Sequence, residues 1–238
     1  MNPYRHLVAP AVLAAALILG SITPAHARDK KAPPPKPASQ YTAFDTHANE
    51  KVTIAADPCL DPKDCDFFRL PYIAHGFIPV RVIITNDGDT ALTLEDVRIQ
   101  FIPANGDKRP AADLEELNRR MFTFKSTQGT RIPLIPYPIT IHHAPVDKKI
   151  IDDDADFGFQ GTVVNAHSTL AGYLFYDVKD LDDPALKDAE LYVKMIHTLD
   201  QKKELFGFTI PFNKWLAANP DTKPTKQSVP TPSTRDTH

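Results

Sequence analysis

Hydrophobic and polar residues alternate along several short stretches of the chain, most clearly beside the turn sequence Asn86-Asp87-Gly88-Asp89. Aliphatic residues occupy alternate positions from Val80 to Ile84, and a second apolar run follows the turn. A period of two predicts strands that turn one face to a core, and a short turn between two such strands predicts a hairpin. We therefore expect residues 76–85 and 91–101 to form a central β-hairpin.

The same pattern predicts the details of this hairpin. Arg81 falls between core positions, so it is expected on the solvent face. Gly88 is expected at positive φ in the turn. The apolar positions fall out of step at Glu95-Asp96, which indicates a β-bulge. The core side chains of the hairpin are expected to face strand 172–178 across a sandwich.

Further stretches of alternation predict strands at 51–54, 121–125, 157–163, 171–178, 190–198 and 205–212. Eight or more short strands at close spacing are typical of an all-β sandwich and not of a parallel sheet. The predicted fold class is therefore all-β.

One helix is expected between the strands, at about residues 113–121. Asp113 can cap it, and Glu116 follows three residues later, which is a capping-box pattern. Leu114, Leu117 and Met121 fall on one face at helical spacing. A further short turn is expected after residue 212, with Trp215 packing inward.

The first 27 residues have the pattern of an export signal. The stretch Leu7–Gly20 is almost wholly apolar, and Pro24-Ala25-His26-Ala27 ends it with the small residues that signal peptidase requires. An apolar helix of that length spans about 21 Å, short of the ~30 Å hydrocarbon layer. We expect residues 1–27 to be a removed signal peptide and the protein to be periplasmic or secreted. Retention of the signal as an anchor is the alternative.

Composition divides the rest of the chain into three parts. Residues 28–40 are rich in Pro and Lys, which is typical of a stiff linker. Residues 41–219 contain the predicted strands and suit one domain. Residues 220–238 are rich in Thr, Pro, Ser and Lys, which is typical of a disordered tail. The net charge of −3 disfavours nucleic acid as a partner, and stable membrane insertion is not expected.

The chain has two cysteines, Cys59 and Cys65. A nearby pair in an oxidising compartment usually forms a disulfide, so we expect one here. The loop that it closes is short, which predicts about 2.4 kcal/mol of stabilisation from chain entropy. A reactive dithiol is the alternative, although the spacing differs from the C-x-x-C motif.

The run 79–89 resembles the strand and turn of bacterial extracellular immunoglobulin-like domains, which read as an apolar strand, Thr-Asn, a Gly-Asp turn and a Leu-rich strand. The segments 164–169 and 172–177 resemble their later turn and their aromatic-rich strand that ends in an acid. The resemblance covers about residues 76–212 and departs at the predicted helix and in the loop 132–156. It implies an immunoglobulin-like Greek-key β-sandwich and an exported location, and it implies no catalytic residues.

Acidic residues cluster at three places that are candidates for weak calcium binding. These are Asp152, Asp153, Asp154 and Asp156; Asp57, Asp61, Asp64 and Asp66; and Asp180, Asp182 and Asp183. The first, densest cluster lacks the later Glu of a calcium loop, so solvated loops are the favoured interpretation of all three. His142 and His143 are adjacent, and neighbours on an extended chain point to opposite faces. We expect no metal and no cofactor.

Apolar residues in loops are candidates for a partner surface. Ile132, Leu134, Ile135 and Tyr137 lie in a stretch interrupted by prolines, which cannot easily join a central strand. Three aromatic residues after the second cysteine are expected to plug one end of the sandwich, with a sugar-stacking or peptide-docking surface as the alternative. These are Phe67, Phe68 and Tyr72.

The chain carries no G-x-S-x-G elbow and no phosphate-binding loop. The favoured function is an exported, non-catalytic binding or interaction module of the bacterial cell envelope, whose partner is another envelope protein or a cell-wall component. The alternative is a hydrolytic or metal-dependent envelope enzyme on a β-sandwich scaffold. A pocket with convergent polar groups distinguishes the enzyme from a module that binds through an exposed patch.

Overall fold

The computed structural model describes residues 32–122 and 145–220, which form three antiparallel sheets and a few helices. The strands are β1 Phe44–His47, β2 Val52–Pro58, β3 Phe77–Asn86, β4 Leu92–Thr93, β5 Arg98–Ile102, β6 Arg109–Pro110, β7 Val163–Val164, β8 Ser168–Asp177, β9 Glu190–Lys194, β10 His197–Thr198 and β11 Phe208–Pro211. The α-helices are α1 Leu114–Met121, α2 Lys148–Phe157 and α3 Asn213–Ala218, and short 3₁₀ helices occupy Ala38–Gln40 and Ile73–His75. The predicted all-β class is therefore confirmed.

The first sheet has the strand order β1-β2-β3-β8 and contains the two longest strands. All ten residues of β3 are buried, and β3 pairs along its whole length with β8, from Phe77 opposite Asp177 to Asn86 opposite Ser168. The second sheet has the order β11-β9-β5-β6, and a small third sheet has the order β10-β4-β7.

The predicted central hairpin is wrong. After Asn86 the chain leaves the first sheet, because β4 pairs with β10 and β7, and β5 pairs with β9 and β6. The strand at 172–178 was expected opposite this hairpin, but it lies in β8, directly beside β3 in one sheet. The predicted bulge at Glu95-Asp96 lies in the turn where the chain passes from the third sheet to the second.

Gly88 differs from its prediction as well, since the positive-φ glycines among the described residues are Gly76 and Gly106. The turn after β3 is closed by Asn86 instead, whose side-chain oxygen accepts a hydrogen bond from the Gly88 N–H at 3.0 Å. The backbone of Gly88 therefore needs no left-handed conformation.

The main core lies between the first sheet and the other two. From β3 it contains Ile78, Val80, Val82 and Ile84, the residues of one face of the strand. Aromatic and aliphatic side chains of the opposite sheets complete it, and Phe101, Leu191, Val193, Phe208 and Ile210 are fully buried there. This packing of two apolar sheet faces accounts for the alternation seen in the sequence.

The other face of the first sheet is covered too. The 3₁₀ helix at Ala38–Gln40 packs Ala38 against Ile83, and the Ala38 N–H donates to Thr85 Oγ1 at 2.8 Å. Part of the stretch predicted as a linker is thus folded onto the sheet. Helices α1 and α2 and the loop after Cys59 form an aromatic cluster over the rest of this face, with Phe67, Phe68, Tyr72, Phe157 and Phe175.

The predicted helix is confirmed as α1, where the Asp113 carboxylate accepts the Glu116 N–H at 2.7 Å. Helix α2 was not predicted, and its span includes the acidic residues that were expected in a solvated loop. The strand predicted at 157–163 is reduced to Val163–Val164 because Phe157 ends α2. Within residues 32–122 and 145–220 no helix is long and apolar enough to cross a membrane.

Candidate functional site

Three polar side chains form a row across the outer face of the first sheet. The strand register places Asp57 of β2 opposite Arg81 of β3, and Arg81 opposite Tyr173 of β8. Side chains at directly opposed positions of neighbouring strands point to the same side of a sheet. The row thus lies on the face away from the main core.

The row lines a cavity of about 630 Å³, which we call the outer-face cleft. Trp215 of helix α3 and Asp61 and Asp64 of the disulfide loop also line it. This volume lies within the range of roughly 300–1,000 Å³ that is typical of small-ligand sites. The cleft is therefore large enough for a small molecule or the end of a chain.

Arg81 is 6% exposed, although the sequence pattern predicted it on the solvent face. Its guanidinium lies 5.8 Å from the centroid of the Tyr173 ring, and one of its N–H groups donates to the Pro33 carbonyl. A guanidinium has five N–H donors. Pro33 is the one hydrogen-bond acceptor that contacts it within the described parts of the chain, so most of its donors have no acceptor from residues 32–122 and 145–220.

Tyr173 is 8% exposed, and its hydroxyl has no hydrogen-bond partner among residues 32–122 and 145–220. Buried tyrosine hydroxyls usually have a partner. Burial raises the pKa of Tyr173 to about 12, so the hydroxyl keeps its proton at neutral pH and can donate as well as accept. This hydroxyl is an unfilled hydrogen-bonding group in the lining of the cleft.

Asp57 is partly buried at the other end of the row and accepts a hydrogen bond at Oδ1 from Trp215 Nε1, at 3.1 Å. Burial raises the pKa of Asp57, and the bond from Trp215 and the charge of Arg81 offset part of that rise. The second carboxyl oxygen of Asp57 has no donor from the described residues. The row therefore offers donors at one end and an acceptor at the other.

The disulfide loop forms the acidic rim of the cleft. Cys59 and Cys65 lie at disulfide distance with their Cα atoms 6.4 Å apart, as expected from the sequence. Between them, Asp61 Oδ1 accepts the Lys63 N–H at 2.9 Å and shapes the turn, while Asp64 is exposed. Of the four acidic residues around the disulfide that the sequence singled out, three line the outer-face cleft, including Asp57.

The densest acidic run has a structural position on α2. Asp153 is 1% exposed and accepts hydrogen bonds from the backbone and side chain of Arg69 and from Tyr72 Oη. Asp156 pairs with the same guanidinium, and Asp152 pairs with Lys148 on the helix surface. Burial, followed by the charge of Asp153, raises the pKa of Tyr72 well above its usual value, so Tyr72 stays a donor. This network fastens α2 to the loop after the disulfide.

A second cavity, of about 600 Å³, has more charged residues in its lining than the outer-face cleft has. Arg109 donates to both carboxylate oxygens of Asp180, at 2.7 and 3.0 Å, and Arg120 pairs with Asp177. These two ion pairs neutralise the charges of both arginines in its lining. Asp182 and Asp183, the rest of the third acidic cluster, line a separate hollow beside Pro184.

Other candidates from the sequence fall elsewhere. Phe67, Phe68 and Tyr72 are buried, but the aromatic cluster that contains them covers the outer face of the first sheet and not one end of a sandwich. The proposed partner surface of Ile132, Leu134, Ile135 and Tyr137 lies outside the described residues, as do His142 and His143. In the described ranges no group of three His, Cys, Asp or Glu side chains could hold a metal ion.

Neither Arg81 nor Tyr173 was predicted as a site residue from the sequence. The alternation rule assigned Arg81 to solvent because it does not show that both faces of β3 are covered. The available signal was a single charge inside the apolar run 77–84, since an Arg that is buried there must be paired or functional.

Comparison of the chain with protein-family models, with curated proteins and with solved structures found no match.

Proposed function

We propose that the protein is an exported, non-catalytic binding module of the bacterial cell envelope and that the outer-face cleft is its binding site. The observation that carries this proposal is the unfilled hydrogen-bonding capacity of a buried row. Arg81 and Tyr173 are more than nine-tenths buried and line a cavity open to a ligand, while one carboxyl oxygen of Asp57 beside them has no donor among the described residues. Groups of this kind are costly to bury without partners, which favours a function for them.

We infer further that the scaffold is an immunoglobulin-like Greek-key sandwich. The first sheet contains the pattern β2-β3-β8, and the second has β11-β9-β5-β6. With β2 taken as strand A, these orders resemble A-B-E of one sheet and G-F-C-C′ of the other in that fold, and this resemblance supports the assignment. The tightly packed interior between the two sheets supports the same assignment. Such a scaffold holds a site rigidly on its strands.

Export is part of the proposal. The N-terminal pattern of residues 1–27 and the Cys59–Cys65 pair both suit an oxidising compartment outside the cytoplasm. A periplasmic or secreted binding module meets other envelope proteins and cell-wall components, and its partner is proposed to be one of these. A hydrolytic envelope enzyme on the same scaffold remains the alternative function.

The single tryptophan of the chain makes the proposal directly testable. Trp215 lies in the cleft with its indole N–H on Asp57, so its fluorescence reports on occupancy. The purified protein is titrated with short peptides, amino acids, and mono- and oligosaccharides, and every probe that changes the emission is tested again on Tyr173→Phe.

Binding at the cleft predicts that at least one class of probe changes the emission and binds Tyr173→Phe more weakly. Tyr192→Phe is the matched control, because Tyr192 lies on β9 in the second sheet. No response to any class, or responses that Tyr173→Phe leaves unchanged, would contradict the proposal. Chemical conversion of a bound probe would favour the enzyme alternative over the binding module.

A further inference from the structure

We propose that the ligand of the outer-face cleft is a neutral saccharide unit, such as the end of a cell-wall or exported glycan. This inference rests on the proposed function and goes beyond it by naming the chemistry of the ligand. It draws on three properties of the lining: the hydrogen-bonding groups of the buried row, the charges of the rim and the aromatic side chains.

The hydrogen-bonding groups of the row require a ligand that both accepts and donates. Several N–H groups of Arg81 lack an acceptor among residues 32–122 and 145–220, and one oxygen of Asp57 lacks a donor there. The Tyr173 hydroxyl can use either a donor or an acceptor. These three residues lie on adjacent strands, roughly 5 Å apart from one strand to the next. Neighbouring hydroxyl groups on one sugar ring supply donors and acceptors at short spacing, so one ring can engage more than one of these residues.

The charges of the lining disfavour an ionic ligand. A carboxylate or phosphate group placed at Arg81 would also lie near the carboxylates of Asp57, Asp61 and Asp64. A cationic group would suit the acidic rim but would meet the buried guanidinium at the row. Because like charges at an interface cost binding energy, a neutral ligand that hydrogen-bonds to both signs fits the cleft best.

Aromatic side chains supply the remaining surface. Trp215 and Tyr173 line the cleft, and Phe67 lies beside Tyr173 with their ring centroids 5.6 Å apart. A sugar ring has C–H groups that pack on aromatic surface while its hydroxyls point to polar groups. Ligand sites commonly combine apolar walls with a few placed polar groups, and the cleft has both.

Isothermal titration calorimetry on the intact protein tests this inference with four probes. N-acetylglucosamine and its soluble β-1,4-linked oligomers represent neutral saccharides, and glucuronic acid represents an anionic sugar of similar shape. Trilysine and trialanine represent cationic and neutral peptides. We expect the neutral saccharides to bind, with glucuronic acid and trilysine at least tenfold weaker.

The variants locate the binding. Tyr173→Phe removes one oxygen atom and should weaken saccharide binding about three- to tenfold, the effect of one lost hydrogen bond. Arg81→Lys keeps the charge but removes the fork of donors, and it should weaken binding further. Tyr192→Phe should bind as the unaltered protein does. Thermal melting of each variant shows that it is folded before its affinity is compared.

The outcomes show whether the saccharide inference fails alone or together with the proposed function. Preference for trialanine or trilysine, lost in Tyr173→Phe, would overturn the saccharide inference and leave the binding module intact. Glucuronic acid binding as tightly as the neutral sugars would contradict the charge argument and thus the inference. If no probe binds and Trp215 fluorescence also responds to none, the cleft holds only water and both proposals fail.

Discussion

The two faces of strand β3 are both buried, but they are built from different chemistry. One face places Ile78, Val80, Val82 and Ile84 in the main core, against the apolar faces of the opposite sheets. The other face carries Arg81 in the outer-face cleft and is covered by a 3₁₀ helix, two α-helices and the disulfide loop. The inner face is wholly aliphatic and closely covered, whereas the outer face combines apolar residues, a charged residue and a cavity.

This difference separates stability from function within one strand. The inner face contributes burial of aliphatic area, at roughly 25 cal/mol per Å². The outer face keeps a buried guanidinium whose desolvation cancels part of the stability that its stem and its contacts with Pro33 and Tyr173 contribute. A buried charged group that lines a cavity is a better guide to a binding site than the core beside it. The comparison can be tested one side chain at a time.

The largest effect is expected from truncation in the inner face. Ile84→Ala removes a fully buried side chain from the main core and should cost about 2–5 kcal/mol of unfolding free energy. Ile83→Ala, on the outer face, is also fully buried but touches the small cluster with Ala38 and Ala55. Urea denaturation of both variants measures the difference. A greater loss from Ile83→Ala would invert the roles assigned to the two faces.

Arg81→Ala is expected to come next, at about 1.5–3 kcal/mol, because it removes a charged hydrogen bond and a buried stem. Arg98→Ala is the matched control, since Arg98 is exposed on β5 and its loss should cost less than ~0.5 kcal/mol. Equal midpoints for the two variants in the same denaturant series would show that Arg81 is not held as described.

The disulfide loop covers part of the outer face, and the Cys59–Cys65 disulfide links residues that are close in the sequence. The double variant Cys59→Ser/Cys65→Ser should lose about 2 kcal/mol, the chain-entropy value for so short a loop. The loss should leave the fold intact, because the main core does not include either cysteine. Circular dichroism with urea melts provides the check, and global unfolding of the variant would contradict it.

The smallest effect concerns the pH dependence that Asp57 contributes. Its pKa is raised in the fold by burial, so the folded protein holds this proton more tightly than the unfolded chain does. The stability from Asp57 is then fully present below its unfolded pKa of ~3.9 and is lost as pH rises through the higher folded pKa. Asp57→Asn removes this titration.

The stability of Asp57→Asn relative to the unaltered protein should therefore improve as the pH rises above about 4. Urea melts at several pH values measure this difference, and other titrating groups cancel from it. Asp89→Asn serves as a control with the opposite sign, because the pKa of Asp89 is lowered, first by its hydrogen bond from Lys51. A difference for Asp57→Asn that falls with pH would show that this carboxyl is stabilised as an anion.

Sequence reasoning found the elements whose signals are local. Strand β8, strand β11 and the capped helix α1 follow from alternation, helical spacing and Asp113, and the cysteine pair follows from spacing and compartment. Helix α2 was not predicted because its run Asp152-Asp153-Asp154 is poor in helix formers. The helix is stabilised instead by hydrogen bonds from Arg69 and Tyr72 to Asp153, and these two residues are far away in the sequence. Such tertiary contacts override local preference.

The strand pairing and the site could not be predicted from local sequence patterns, because both depend on contacts between distant residues. An apolar strand, a turn and another apolar strand fit a hairpin, yet the chain crosses to other sheets after Asn86, whose amide binds Thr90 and Val164 carbonyls. The row of Asp57, Arg81 and Tyr173 is spread over residues that only the register of β2, β3 and β8 brings together. Alternation in the sequence does not show whether the second face of a strand is covered by other elements or exposed to solvent.

The position of Pro33 and Pro220 at the cleft has a mechanical consequence. Both lie in its lining, so the two ends of the described domain meet on the same side. We expect a pulling force applied between residues 33 and 220 to act first on the contacts of Pro33 with Arg81 and of Trp215 with Asp57. A ligand held in the cleft would share that load, so the occupied domain should unfold at a higher force than the empty one, which single-molecule pulling with and without ligand would measure.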